Sequence, residues 1–156
     1  MLVTELDQQD KRILNVLQQD ASLTSSEIAE RVNMSQSPCW RRIKRLQDLG
    51  VIKRQVAILN RESVGVDIVV FATVNLAAQS NLDLNAFEEA MSTEPLVVEC
   101  YTMAGTWDYM LKIITKDIKS YEHFIRHTLT ANKLVREIHS HIAVTEIKNS
   151  TALPLD

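Results

Sequence analysis

Residues 24–50, TSSEIAERVNMSQSPCWRRIKRLQDLG, decide the fold. Thr24 and Glu27 have the spacing of a capping box, in which each side chain bonds the other's backbone N–H. Leu23 and Ile28 sit where a hydrophobic staple closes around such a cap. Ile28, Ala29 and Val32 give the apolar face of a helix that ends near Asn33, a residue that tolerates the left-handed backbone of a sharp turn. Ser35 is placed to cap a second helix, and Pro38 falls in its first turn, where a missing N–H does little harm. Gly50 is the expected stop. Two short helices joined by a tight turn form a helix-turn-helix, whose second helix enters the DNA major groove.

The face which that second helix turns outward fits the motif. With Cys39 at the centre of the buried side and about 100° per residue, Ile43 and Leu46 join it and Leu49 lies at its edge. Ser37, Trp40, Arg41, Lys44 and Arg45 point outward, and Arg42 flanks the core. Residues 41–54 hold Arg41, Arg42, Lys44, Arg45, Lys53 and Arg54 against one acid, Asp48. Guanidinium and ammonium groups are what phosphates and guanine edges require. A solvated basic helix face is the bland reading; caps, turn and arginines in one stretch favour DNA. Ser35, Ser37, Trp40, Arg41, Arg42, Lys44 and Arg45 are therefore the candidate DNA-binding residues.

Working toward the N-terminus, Asp7 with Asp10 opens a first helix to about Gln19, with Ile13, Leu14 and Leu17 as its buried stripe. Toward the C-terminus, Val51 to Leu59 is β-prone and reads as a wing, a linker strand, or both. Asn60 to Gly65 is polar and turn-like. This divides the chain into a helix-turn-helix domain (1–50), a wing or linker with hinge (51–65) and a second domain (66–156). That domain reads as a strand over 68–76, a loop over 77–83 and a helix over 84–92. Strands follow over 97–103 and 109–114, then a helix over 118–129 capped by Asp117, and a last strand over 135–145. The order βαββαβ is the ferredoxin-like arrangement, so the fold class is α+β.

Such a sheet leaves one face bare. Yet the first strand is apolar on both faces, with Ile68, Val70, Ala72 and Val74 on one and Val69 and Phe71 on the other. The third strand shows the same doubling. Strands apolar on both faces are usually covered on both, and a second copy is the simplest cover.

Composition bounds the rest. The 156 residues are 46% hydrophobic and 24% charged, ordinary globular material. The net charge of −3 conceals +2 over residues 1–60 and −5 over 61–156, so the positive charge is local to the helix-turn-helix. No apolar run approaches the ~20 residues of a membrane span. No signal-peptide pattern opens the chain, and a cytoplasmic protein is expected. Cys39 and Cys100 make neither a disulfide framework nor a zinc finger. Cys39 reads as a small core residue. With only Gly50, Gly65 and Gly105, no phosphate-cradling loop can be built, and no cofactor is expected. His139 and His141 alternate on a strand, about 7 Å apart on one face. No third metal ligand stands at a telling spacing, and no nucleophile, base and orienter can be named together. The chain is read as a non-enzyme. An RNA-binding sheet would need aromatic and basic residues interleaved on its strands, which are absent.

Over nearly its whole length the chain resembles the Lrp/AsnC, or feast/famine, transcription regulators. Leu6 to Leu14 (LDQQDKRIL) carries the likeness at the start, and Ser37-Pro38-Cys39-Trp40-Arg41-Arg42 with Arg45-Leu46 and Gly50-Val51-Ile52 carries it in the helix-turn-helix. Gly105-Thr106-Trp107-Asp108-Tyr109 is similar to the Gly-x-x-Asp-Tyr turn of that family's effector domain. The resemblance implies an N-terminal winged helix-turn-helix domain on double-stranded DNA and a C-terminal αβ-sandwich that senses a small amino acid. It implies dimers whose linker strands pair and which often gather into octamers, and a nucleoid-associated location. By it, Met103, Gly105, Thr106, Asp108 and Tyr109 are candidate effector-binding residues. Asp108 would take an α-amino group and the turn's N–H groups an α-carboxylate. A plain hairpin in which Asp108 only stabilises the turn is the competing reading of the same residues. Some family members bind no known effector, so an effector-independent DNA organiser is the alternative function. The segment 146–155 is similar to the ends of some short regulators of amino-acid catabolism or cysteine detoxification.

Overall fold

The computed structural model describes residues 5–77 and 80–155. The chain divides into two compact units, Met1–Ile58 with Lys148–Asp156, and Leu59–Ile147. The tail, expected with the second domain, thus belongs by its contacts to the first.

In the first unit α1 spans Gln8–Gln19, α2 Ser25–Arg31 and α3 Gln36–Asp48. Asp7 caps α1 in a reciprocal box with Asp10, and Thr24 caps α2 in the box with Glu27. Each box satisfies N–H groups that a helix start leaves without partners. Asn33 takes φ 55° in the turn between α2 and α3, and Gly50 takes φ 71° after α3. Ser35 is extended at the N-cap position, but its hydroxyl makes no capping bond. Ile13, Leu14, Ile28, Ala29, Val32, Cys39 and Leu46 form the buried core, with Ile43 packed against it.

The β-prone run 51–59 is not a strand in the single chain. Val51 and Ile52 donate to Leu46 O and finish the end of α3, and residues 53–60 run on without regular structure. A strand needs a hydrogen-bonded neighbour, and the four-stranded sheet does not include this segment. Val56, Ile58 and Leu59 are left exposed.

In the second unit β1 (Ile68–Leu76), β2 (Val97–Thr102), β3 (Tyr109–Thr115) and β4 (Val135–Ile142) form one antiparallel sheet in the order β2-β3-β1-β4. With α4 (Asn81–Thr93) and α5 (Ile118–Phe124) this is the expected βαββαβ order. Val70, Ala72, Val74, Leu76, Tyr109, Leu111 and Ile113 meet Phe87, Met91, Tyr121, Phe124 and Leu129 in the core.

Three element boundaries differ from expectation by more than one residue, and the simplest is the last strand, expected to 145, which loses its pairing with β1 and ends at Ile142. The loop over 77–83 is shorter, because Ser80 and Asp83 form a further capping box and α4 starts at Asn81; residues 78 and 79 lie outside the described ones. The helix expected over 118–129 is α-helical only to Phe124, then widens into a π turn over Ile125–Leu129, with Thr130 N bonding Ile125 O. The extra residue in that turn keeps Phe124 and Leu129, five positions apart, on the same buried side.

Candidate DNA interface and ligand turn

α3 presents Ser35, Ser37, Trp40, Arg41, Lys44 and Arg45 to solvent, while Cys39 and Leu46 are wholly buried beneath it. Burial also raises the Cys39 thiol pKa, which keeps it a protonated core group. The arginines are not equivalent. Arg41 is exposed and makes no ion pair among the described residues. Arg42 reaches back to α1, where its Nη1 donates to Asp7 Oδ2 at 2.7 Å and to Asp10 Oδ1 at 2.8 Å. Arg45 Nη2 donates to the other oxygen of Asp10 at 2.5 Å. Lys44 pairs along its own helix with Asp48 at 2.7 Å, both side chains exposed.

Asp10 is wholly buried. A carboxylate taken out of water must be paired and hydrogen-bonded, and two guanidiniums do this here. In return Asp10 fixes both arginines at the edge of α3 and clamps α3 to α1. Asp7 joins the cluster; the Asp10 backbone N–H and the Arg42 guanidinium hold its carboxyl below the usual range. Arg41, Arg42, Arg45, Asp7 and Pro38 line a shallow depression of about 460 Å³. Helical periodicity puts Arg42 at the flank of the core and Arg45 outward on α3, but it does not name the acid that holds them. The signal was Asp10 itself, an acid one turn before Ile13 and Leu14 on the buried stripe.

The Met103–Asp108 turn is tied to the end of β1. Asp108 N donates to Asn75 Oδ1 at 3.0 Å and to Val74 O at 3.1 Å, and Asp108 O accepts from Met103 N at 2.8 Å. Asp108 Oδ2 accepts from Leu76 N at 2.7 Å. One carboxylate oxygen therefore stabilises the hairpin, the role described by the competing reading. Gly105 has φ 143°, a backbone region open to glycine. Gly105 and Thr106 are exposed, and Met103 is 37% exposed.

Tyr109 is not at this surface. It is the first residue of β3, and strand alternation sends it toward the helices. There it packs on Phe87 and donates to Glu88 Oε1 at 2.8 Å; burial and Glu88 hold its phenol firmly protonated. The neighbour that does flank the turn is Trp107, whose ring lies 4.6 Å from that of His139 on β4. His139 in turn meets Glu137 at 3.0 Å. His141 is exposed two residues on, and no group of three potential metal ligands converges among the described residues. No spacing rule joins Trp107 to His139; the pairing of both β3 and β4 with β1 brings them together.

A three-helix unit with a basic outward helix, joined in one chain to a four-stranded αβ-sandwich, defines the class: a helix-turn-helix protein with a second, αβ domain. Residues 6–53 match the family model for winged helix-turn-helix DNA-binding domains, and residues 69–153 match that for the Lrp/AsnC ligand binding domain. The chain is 34% identical over 151 residues to the transcriptional regulator AzlB of Bacillus subtilis, covering 97% of this chain and 96% of that protein. A transcriptional regulator of Neisseria meningitidis, solved as a complex with L-Met, superposes with a TM-score of 0.94 at 35% identity, over 97% of this chain and 98% of that one. An AsnC family regulator of Agrobacterium tumefaciens gives 0.92 at 38% identity, over 96% and 97%. The chain belongs to the Lrp/AsnC family of transcriptional regulators.

Proposed function

We propose that this chain binds specific double-stranded DNA sites through α3 and that a small amino acid modulates its DNA binding or its assembly. The observation that carries the DNA reading is the outward face of α3, with Ser35, Ser37, Trp40, Arg41 and Lys44 exposed and Arg42 and Arg45 fixed by buried Asp10. Phosphate contacts position such a helix and side chains at base edges give it sequence preference. Arg41, the arginine of α3 without an ion pair among the described residues, is the candidate for a base edge; Lys44 is the candidate for phosphate.

The effector reading draws on the N. meningitidis relative, which was solved with L-Met. Beside Met103, Gly105 and Thr106 offer backbone N–H groups and Asp108 offers one acid on an exposed turn; the N–H groups of Met103 and Asp108 serve the turn itself. Trp107 and His139 replace Tyr109 as the aromatic neighbours of that site. One observation favours the second reading, an effector-independent DNA organiser: the Asp108 carboxylate already serves the Leu76 amide.

The protein works as a dimer in this reading, able to assemble to octamers, acting on cytoplasmic, nucleoid DNA without catalysing a reaction. Phe71 and Tyr101 are exposed on the sheet, and Val56, Ile58 and Leu59 are exposed along the segment before it. A second copy would remove this apolar surface from water. Selection of bound genomic fragments, repeated with each of the twenty amino acids, tests the whole reading. Fragments sharing a near-palindrome, with recovery altered by one amino acid class, are expected. A common palindrome with no amino-acid response selects the organiser reading, and recovery of unrelated sequences contradicts specific binding.

A further inference from the structure

The last described residues return to the DNA-binding unit and seat on α1. Gln18 and Leu153 form a two-bond clamp: Leu153 N donates to Gln18 Oε1 at 2.6 Å, and Gln18 Nε2 donates to Leu153 O at 3.1 Å. A side-chain amide here pairs with one residue's backbone as a neighbouring strand would. Two residues on, Leu155 packs on the apolar cluster of that unit, which includes Leu6, Leu14 and Leu17. Between α1, residues 51–58 and this segment lies an open groove of about 1010 Å³.

These contacts have the strength of a latch. The clamp is exposed, so its two hydrogen bonds exchange against bonds to water and contribute little net. Leu155 contributes the burial of one partly covered side chain. Few buried contacts and exposed backbone bonds are the signature of a segment that opens locally without unfolding its neighbours. What lies under it is consequential. α1 carries Asp10, and Asp10 holds Arg42 and Arg45 at the edge of α3.

We propose that residues 150–155 are a detachable strap that completes the DNA-binding unit, fixes α1, and through Asp10 sets the arginines of α3. The affinity half of this rests on the DNA-binding reading above; the docking half does not. The strap makes the unit a structure of two chain segments, held by a short contact that a ligand, a partner or a variant can release.

Hydrogen exchange on the full chain tests it. In Leu155→Asp, which places a charge against the apolar cluster, amides of α1 (8–19) exchange about tenfold faster, while those of β1 (68–76) are unchanged as an internal control. Gln18→Ala, a milder change on an exposed side chain, shifts the same amides in the same direction by a smaller factor. Duplex-DNA affinity of Leu155→Asp falls by at least about threefold. Equal α1 exchange in the parent and both variants would overturn the strap. Faster α1 exchange with unchanged DNA affinity would overturn its control of α3. A parent that binds no duplex DNA at all would defeat the DNA-binding reading and, with it, the affinity half, while the exchange comparison still decides the docking.

Discussion

Asp10 is the residue on which the DNA-binding unit depends most. It is buried, it closes the capping box of α1, and it accepts from both Arg42 and Arg45. Asp10→Asn keeps the shape and removes the charge, so both guanidiniums lose their charge-assisted bonds. A loss of about 1–3 kcal/mol in urea denaturation is expected, with weaker DNA binding as the arginines lose their fixed positions. Its neighbours make the unit acid-sensitive. Asp7, Asp20 and Glu27 all titrate below their ordinary values, 3.8 for the aspartates and 4.5 for the glutamate, because each accepts local hydrogen bonds. A carboxylate with a depressed folded-state pKa contributes stability that is whole above its ordinary value and is lost as the pH falls through the folded value. The first unit should therefore hold its stability from neutral pH to about pH 5 and lose it below about pH 4. Asp7→Asn should flatten that decline, as read from denaturation midpoints at successive pH values. An identical decline in the variant would remove Asp7 from the account.

At the scale of elements, caps and punctuation made much of the fold legible. Asp7, Thr24 and Asp117 start helices where their spacing predicted, and β1 has the predicted limits. These signals are local, and local chemistry decides them. The Ser80–Asp83 box is equally local and starts α4 at Asn81, three residues before the apolar stripe that begins at Leu84. The remaining differences are not local. The π turn after α5 answers to the core positions of Phe124 and Leu129, and the run 51–59 has strand-forming residues but no partner strand in one chain. The site divides in the same way. The exposed face of α3 follows from helical periodicity, but the Asp10 clamp, the Asn75–Asp108 bond and the Trp107–His139 contact join residues 32 to 35 positions apart. Thr24→Ala removes one half of a capping box and should cost about 1 kcal/mol of unit stability. At Gly105, no atom of the described residues beyond its chain neighbours lies within 4 Å of an added Cβ, so Gly105→Ala meets backbone strain rather than a clash. It should cost about 1 kcal/mol in the second unit and leave the first unchanged, as read by hydrogen exchange.

At the scale of the whole molecule, the sheet and the segment before it carry more exposed apolar surface than a lone chain needs. Phe71, Tyr101, Val56, Ile58 and Leu59 are the residues concerned. Phe71→Lys should shift light scattering at micromolar concentration from a dimer or larger assembly toward monomer. A parent that is itself a stable monomer would contradict the assembly. A dimer of helix-turn-helix units also fixes the operator: half-sites about one helical turn apart, or a multiple of it, related by near-palindromy. If α3 reads DNA with unequal roles for its basic residues, the salt dependence of duplex binding separates those roles. Lys44 gives up only a weak exposed pair with Asp48 when it meets a phosphate. Lys44→Ala should weaken binding to all sequences alike and lower the slope of log K against log salt by about 1. Arg41→Ala should cost about 1–3 kcal/mol on the selected site and much less on unrelated DNA. Parent-like affinity and salt slope in both variants would contradict the assignment of α3 as the helix that binds DNA.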